Sequence, residues 1–148
     1  MNKGLFYLST LLFLASIVAT CLSLLGFDIE KTLPLIWLNN IGVFIFLIPC
    51  GWILSKNKIE FTAQHKFFVI VLGLIYLLCF FNSYFNMTPI EKSGHYFLIN
   101  HGNQLQIINE VQYLKTRTGN FISNSTQWMF FYGISMMIYF LNWKKKTA

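Results

Sequence analysis

His95 and His101 lie in the stretch HYFLINHGNQLQIIN, the one place in the chain where the sequence brings two imidazoles close together. A shared metal needs both ring nitrogens about 2 Å from one point. Six residues of extended chain span roughly 20 Å at 3.3 Å per residue, so these two cannot meet on one ion. Glu91 and Glu110 are the nearest acids, and no cysteine is near. Cys21, Cys50 and Cys79 are isolated from one another and form neither a CxxC pair nor a disulfide framework. A serine nucleophile would need a base oriented by a third group, which no spacing here supplies. Haem between membrane helices would need an axial ligand such as histidine, and the apolar runs contain none. The reading is of a chain with no catalytic residue, no metal and no cofactor.

The elements around these residues are written for a different solvent. The 148 residues are 55% hydrophobic and 11% charged, with a mean hydropathy of +0.55. A soluble domain carries about 25% charged residues. Four uncharged runs, 4–27, 34–55, 67–85 and 126–143, each match the 17–25 residues that cross roughly 30 Å of hydrocarbon as a helix. These predict an all-α membrane protein, a single domain over 1–148 built as an antiparallel bundle of four transmembrane helices. Trp37 and Trp52 bracket the second run and Trp128 and Trp143 the fourth, both pairs fifteen residues apart. That is about 22 Å of helix, the spacing of anchors at the two bilayer interfaces.

Lysine placement sets the orientation. With the N-terminus inside, Lys3, Lys56, Lys58, Lys66 and Lys144, Lys145 and Lys146 face Glu60 alone, while the outer charges cancel, so the whole +6 falls on one side. By the positive-inside rule that side is cytoplasmic. Both termini are therefore expected inside, in the inner (plasma) membrane of a bacterium. The basic charge reflects topology and contact with lipid, with no interleaved aromatic platform for nucleic acid. Met-Asn-Lys before the first run resembles a signal sequence, but the run exceeds the usual 7–15-residue core and is read as a retained helix. Val18-Ala19-Thr20-Cys21 departs from a lipoprotein box at Thr20. The triplets 86–88 and 124–126 match the glycosylation pattern but abut the membrane and are read as incidental.

Within the runs, Ala15, Ala19 and Ser23 form a ridge of small residues for close helix packing, with Ser16 and Thr20 beside it. Pro49 removes a backbone donor and predicts a kink in the second helix. Gly73 sits mid-span in the third. Asn39 and Asn40 can meet headgroups or hydrogen-bond across helices. Thr88-Pro89 marks the end of the third helix.

The segment 86–125 is long enough to fold outside the membrane. Residues 95–100 alternate, with His95, Phe97 and Ile99 on one face and Tyr96, Leu98 and Asn100 on the other. Asn100-His101-Gly102-Asn103 supplies a tight turn, and residues 105–108 the return strand of a hairpin over 95–108. Asn109 caps a short helix 110–118 with Gln112 completing a capping box. Lys115 and Arg117 in its last turn and Gly119 after it predict its end. Asn124 and Gln127 repeat the cap spacing at the fourth run.

The runs hold no Asp, Glu, Lys, Arg or His, which argues against a coupled transporter. What remains is a folded outer segment rich in aromatic and basic groups. Tyr96, Phe97, His101, Tyr113, Lys115 and Arg117 have the make-up of a binding hot spot, and a hairpin edge can accept a partner strand. The expected function is protein–protein interaction, with the bilayer and a protein partner or a second copy as contacts. In size, basicity and span number the chain resembles the immunity proteins that protect bacteria from membrane-targeting toxins. That resemblance implies partner blocking, and an accessory subunit of a membrane complex fits the same features. The alternatives are a homo-oligomeric channel lined by Ser16, Thr20, Asn39, Asn40, Asn82 and Ser83, and a membrane-embedded enzyme.

Overall fold

The computed structural model describes residues 2–57, 59–84, 88–99 and 105–147. Helix α1 (Asn2–Leu24) is followed by a single turn α2 (Ile29–Thr32) and a 3-10 turn Ile36–Leu38 that leads into α3 (Asn39–Lys56). Helix α4 (Ala63–Tyr84) precedes strands β1 (Thr88–Lys92), β2 (His95–Ile99) and β3 (Leu105–Ile108), and α5 (Glu110–Thr147) closes the chain.

Local chemistry sets the ends. Gly26, at φ +90°, turns the chain after α1 while the Phe27 N–H returns to the Leu22 carbonyl at 3.0 Å, the left-handed ending that glycine permits. Asp28 caps α2 by accepting from the Lys31 N–H at 3.0 Å. Asn109 and Gln112 form the expected capping box: the Gln112 N–H donates to Asn109 Oδ1 at 2.8 Å, and the Asn109 N–H to Gln112 Oε1 at 3.3 Å.

Among the described residues, three helices are long and apolar enough to cross a membrane: Lys3–Leu24, Ile36–Lys56 and Ala63–Phe81. Their outward faces are apolar, with Ile48 74% and Leu78 73% exposed. The interior is the more polar part. Ser9, Ser16, Thr20, Ser23, Ser123, Ser125, Thr126, Ser135 and Asn142 are all buried among the described residues. Apolar outside with polar groups inside is the arrangement lipid selects, because lipid solvates leucine and does not solvate a hydroxyl; of these groups, the Ser23 and Ser135 hydroxyls have no hydrogen-bond partner among the described residues.

Helix α5 is the hub. It packs extensively against α1, α3 and α4, and those three do not pack extensively on one another. On α1 the seam is a Ser/Thr stripe: Ser9, Ser16, Thr20 and Ser23 are buried, and the Thr20 and Ser125 hydroxyls hydrogen-bond at 2.8 Å. On α3, Trp128 Nε1 donates to Asn40 Oδ1 at 2.7 Å and the Tyr139 hydroxyl to the Phe46 carbonyl at 2.7 Å. On α4, Tyr76 stacks on Phe130 with centroids 5.5 Å apart. A Cβ on Gly73 would meet Phe130 at 3.4 Å, so Gly73 seats that ring. Lys3 lies over the Trp143 ring at 5.0 Å, which brings the beginning of α1 to the last turns of α5.

Two expectations are corrected here. The separate helix 110–118 and run 126–143 are one helix of 38 residues. Gly119 does not end it and Asn124 does not cap a new one. Glycine inside a helix costs only about 1 kcal/mol relative to alanine, and burial of Tyr113 and Phe121 on either side offsets that. The outer hairpin is in fact a three-stranded antiparallel sheet in the order β1-β2-β3. Thr88-Pro89, expected only to stop the third helix, begins the edge strand Thr88–Lys92, a position proline tolerates.

Candidate functional site

The sheet is held on the first turns of α5, and its two faces differ. Glu91, Tyr96 and Ile108 are cross-strand partners and share one face; Ile90, Phe97 and Ile107 are partners and share the other. Tyr96 lies against Tyr113 of α5 with ring centroids 4.7 Å apart, so the Tyr96 face is the one turned to the helix. Ile108 and Tyr113 are buried in that contact. The Tyr96 phenol titrates above its ordinary range, first through desolvation there and then through the Glu110 and Glu91 carboxylates.

The opposite face carries the row Ile90–Phe97–Ile107 across all three strands. Ile107 is 75% exposed, whereas Ile90 and Phe97 are half-buried. His95 lies beside this row, its ring centroid 6.5 Å from that of Phe97, and Lys92 is its cross-strand partner. Both are exposed, which gives the apolar row a polar margin at the Ser93-Gly94 turn. Ser93 (φ 54°) and Gly94 (φ 77°) both have positive φ, as a two-residue hairpin turn with the twist of its strands requires.

Below the sheet, Arg117 ties α5 to the α2 turn. Its Nη1 is 3.2 Å from Asp28 and its Nε 3.2 Å from Glu30. Burial pulls its pKa down, but the Glu30 hydrogen bond and the Asp28 charge outweigh that and raise it, so the guanidinium stays charged. Lys115 is exposed on the same helix.

The structure thus distributes the sequence-derived candidates. Phe97 is half-buried on the face away from α5, Tyr96 and Tyr113 are together between sheet and helix, and Arg117 is in an ion-pair network. His101 and the rest of 100–104 lie outside the described residues, as do the first two positions, 86 and 87, of the triplet 86–88. Of the tryptophans, Trp37 and Trp52 are exposed, and Lys56 lies over the Trp52 ring at 4.4 Å. Trp128 is 2% exposed, an internal group and not a lipid-facing anchor. Trp143 packs on Phe6. Pro49 sits within a helix that continues on both sides of it. Of the small-residue ridge, Ser23 is buried and Ala19 packs partly buried against the core while also lining a cleft with Ala15; Ser16 and Thr20 beside it are buried.

Sequence reasoning missed Ile90 and Ile107 as members of one row, and Asp28 and Glu30 as partners of Arg117. The signal for the first was present: Lys-Ser-Gly-His is a hairpin turn between two alternating segments. The ion pairs join residues 87 and 89 positions apart and leave no local trace. Comparison with protein-family models, characterised proteins and solved structures returns no match to this chain.

Proposed function

We propose that this chain is a non-catalytic integral membrane protein that acts through its sheet, by binding a protein partner on the extracytoplasmic side. In this reading the inner part of α5 crosses the bilayer as a fourth span, shielded from lipid by α1, α3 and α4, which is why it tolerates Ser, Thr, Asn and Gln. At 38 residues and 1.5 Å each, α5 is about 57 Å long, roughly twice the hydrocarbon thickness. One end therefore projects, and the sheet packs on that end. Both termini are cytoplasmic by the lysine bias, in the inner membrane of a bacterium, and the partner is an incoming toxin or a larger membrane complex.

The observation that carries the reading is the apolar row Ile90–Phe97–Ile107 on the face away from α5, half-buried at Ile90 and Phe97 and exposed at Ile107. Apolar side chains on a water-facing sheet, held by a rigid helix and edged by polar groups, have the anatomy of an interface core. The oligomeric pore gains less support. Its proposed lining is engaged within the monomer: Thr20 with Ser125, Asn40 with Trp128, and the Asn39 carbonyl with the Tyr132 hydroxyl at 3.1 Å. The side chains of Asn82 and Ser83 lie outside the described set.

The test is photo-crosslinking in the native membrane from Phe97, on the face away from α5, and from Tyr96, on the face against it. A discrete heterologous adduct from Phe97, absent from Tyr96 and lost with Ile107→Asp, is expected. Adducts of the chain with itself alone would favour the pore.

A further inference from the structure

Helices α1 and α3 both lie on α5 but leave a gap between them toward the sheet end of the bundle. The gap is an open cleft of about 660 Å³, walled by Ala15, Val18, Ala19 and Leu22 of α1 and by residues 33–36, with Trp128 behind. Its walls are apolar, and the cleft owes its width to the small side chains at Ala15 and Ala19. A second chamber of about 290 Å³ adjoins it, sharing Pro34, Ile36 and Trp128, and is lined by Glu30, Asn40, Arg117 and Asn124. Trp128 and Arg117 are eleven residues apart on α5, about 16 Å of rise. The composite is therefore apolar at the depth of the spans and polar at its outer end, each part near or within the roughly 300–1,000 Å³ of small-molecule sites.

We propose that this cleft binds one phospholipid from the leaflet on the sheet side. Its acyl chain lies along Ala15 and Ala19 and its headgroup enters the polar chamber, with a preference for a primary-amine headgroup of the phosphatidylethanolamine type. The occupant follows from the surroundings: the cleft opens beside helices built to face hydrocarbon, so an acyl chain is what meets it. The headgroup follows from charge. Arg117 is already paired with both Asp28 and Glu30, leaving the trio at net −1, so an anionic headgroup finds no free cation among the described residues lining the chamber. Glu30, whose side chain is the most exposed of the three at 36%, can accept from an ammonium. Asn40 accepts from Trp128 through its oxygen, which leaves its amide N–H groups for a phosphate, and Asn124 offers the same chemistry.

The test uses the full chain in mixed vesicles of phosphatidylethanolamine and phosphatidylglycerol, with either lipid supplied as a probe bearing a diazirine in its acyl chain. Adducts are mapped by mass spectrometry. The amine lipid is expected to label residues 15–22 and 33–40 about tenfold more than the glycerol lipid does. Ala15→Phe, at an exposed position that leaves the α5 seam alone, and Ala19→Phe should each remove most of that labelling. Glu30→Gln should bring the two probes close to parity. Labelling spread evenly over α1, α3 and α4, or unchanged by both phenylalanine variants, would overturn the site. A preference for the glycerol lipid would overturn the headgroup assignment. Neither result bears on the sheet face, which is read from position 97.

Discussion

At the scale of single residues, the interior is held by polar contacts that lipid makes obligatory. Tyr139 donates to the Phe46 carbonyl, Trp128 to Asn40, and Asn57 Nδ2 to Asn142 Oδ1 at 3.0 Å. Inter-helix hydrogen bonds in membranes average about 0.6 kcal/mol, with a maximum near 1.7. Tyr139→Phe is therefore expected to lower stability by about 1 kcal/mol without loss of the fold, measured by thermal unfolding in detergent. Gly42→Ala should cost more, because a Cβ there would lie 2.6 Å from the Tyr132 hydroxyl, on a rigid buried ring. Arg117→Ala removes two ion pairs that are a quarter to a third exposed. Discounted for screening, the loss is expected near 1 kcal/mol and smaller in high salt. A double-mutant cycle with Glu30→Ala isolates the pair. These contacts mark the limit of what single residues disclose. Asn39 and Asn40 were legible as groups that bond across helices, but not their partners. Trp128 was misread because tryptophans fifteen residues apart suit an interface belt equally well, and only the packed structure shows its N–H satisfied inside.

At the scale of elements, α5 decides the architecture. If it is one helix, spin labels at Val111 and Gln127 sit sixteen residues apart, and pulsed dipolar spectroscopy should return a single narrow distance near 24 Å. Gly119→Ala should be neutral or stabilising by up to about 1 kcal/mol, whereas a helix ending there would be harmed by it. The sheet depends on its Ser93-Gly94 turn, and Gly94→Val, at φ 77°, should destabilise it by about 1–2 kcal/mol, seen as faster amide exchange in β1 and β2. The three apolar helices, strands β2 and β3 and the Asn109 cap were all readable from periodicity and cap chemistry. The fusion of two expected helices was not, since Lys115, Arg117 and Gly119 form a good local ending that tertiary burial overrides. Strand β1 was missed because Thr88-Pro89 read as a helix stop and hid the alternation that follows it.

At the scale of the whole molecule, three apolar helices surround a longer, more polar one that carries the sheet beyond them. Composition alone indicated membrane residence, because the deficit of charge and the placement of lysines are global properties. Which sheet face meets α5 and which residues line the cleft are products of packing and were not accessible. The central claim is a topology: the sheet outside, both termini inside, and α5 across the bilayer. Cysteine accessibility tests it most directly, using a membrane-impermeant maleimide on intact cells in a variant with Cys21, Cys50 and Cys79 replaced. Ser93→Cys should label at once, while Asn2→Cys and Lys145→Cys should label only after permeabilisation. Labelling of Ser93→Cys only after permeabilisation, or of Ser93→Cys and Lys145→Cys from the same side, would contradict the account.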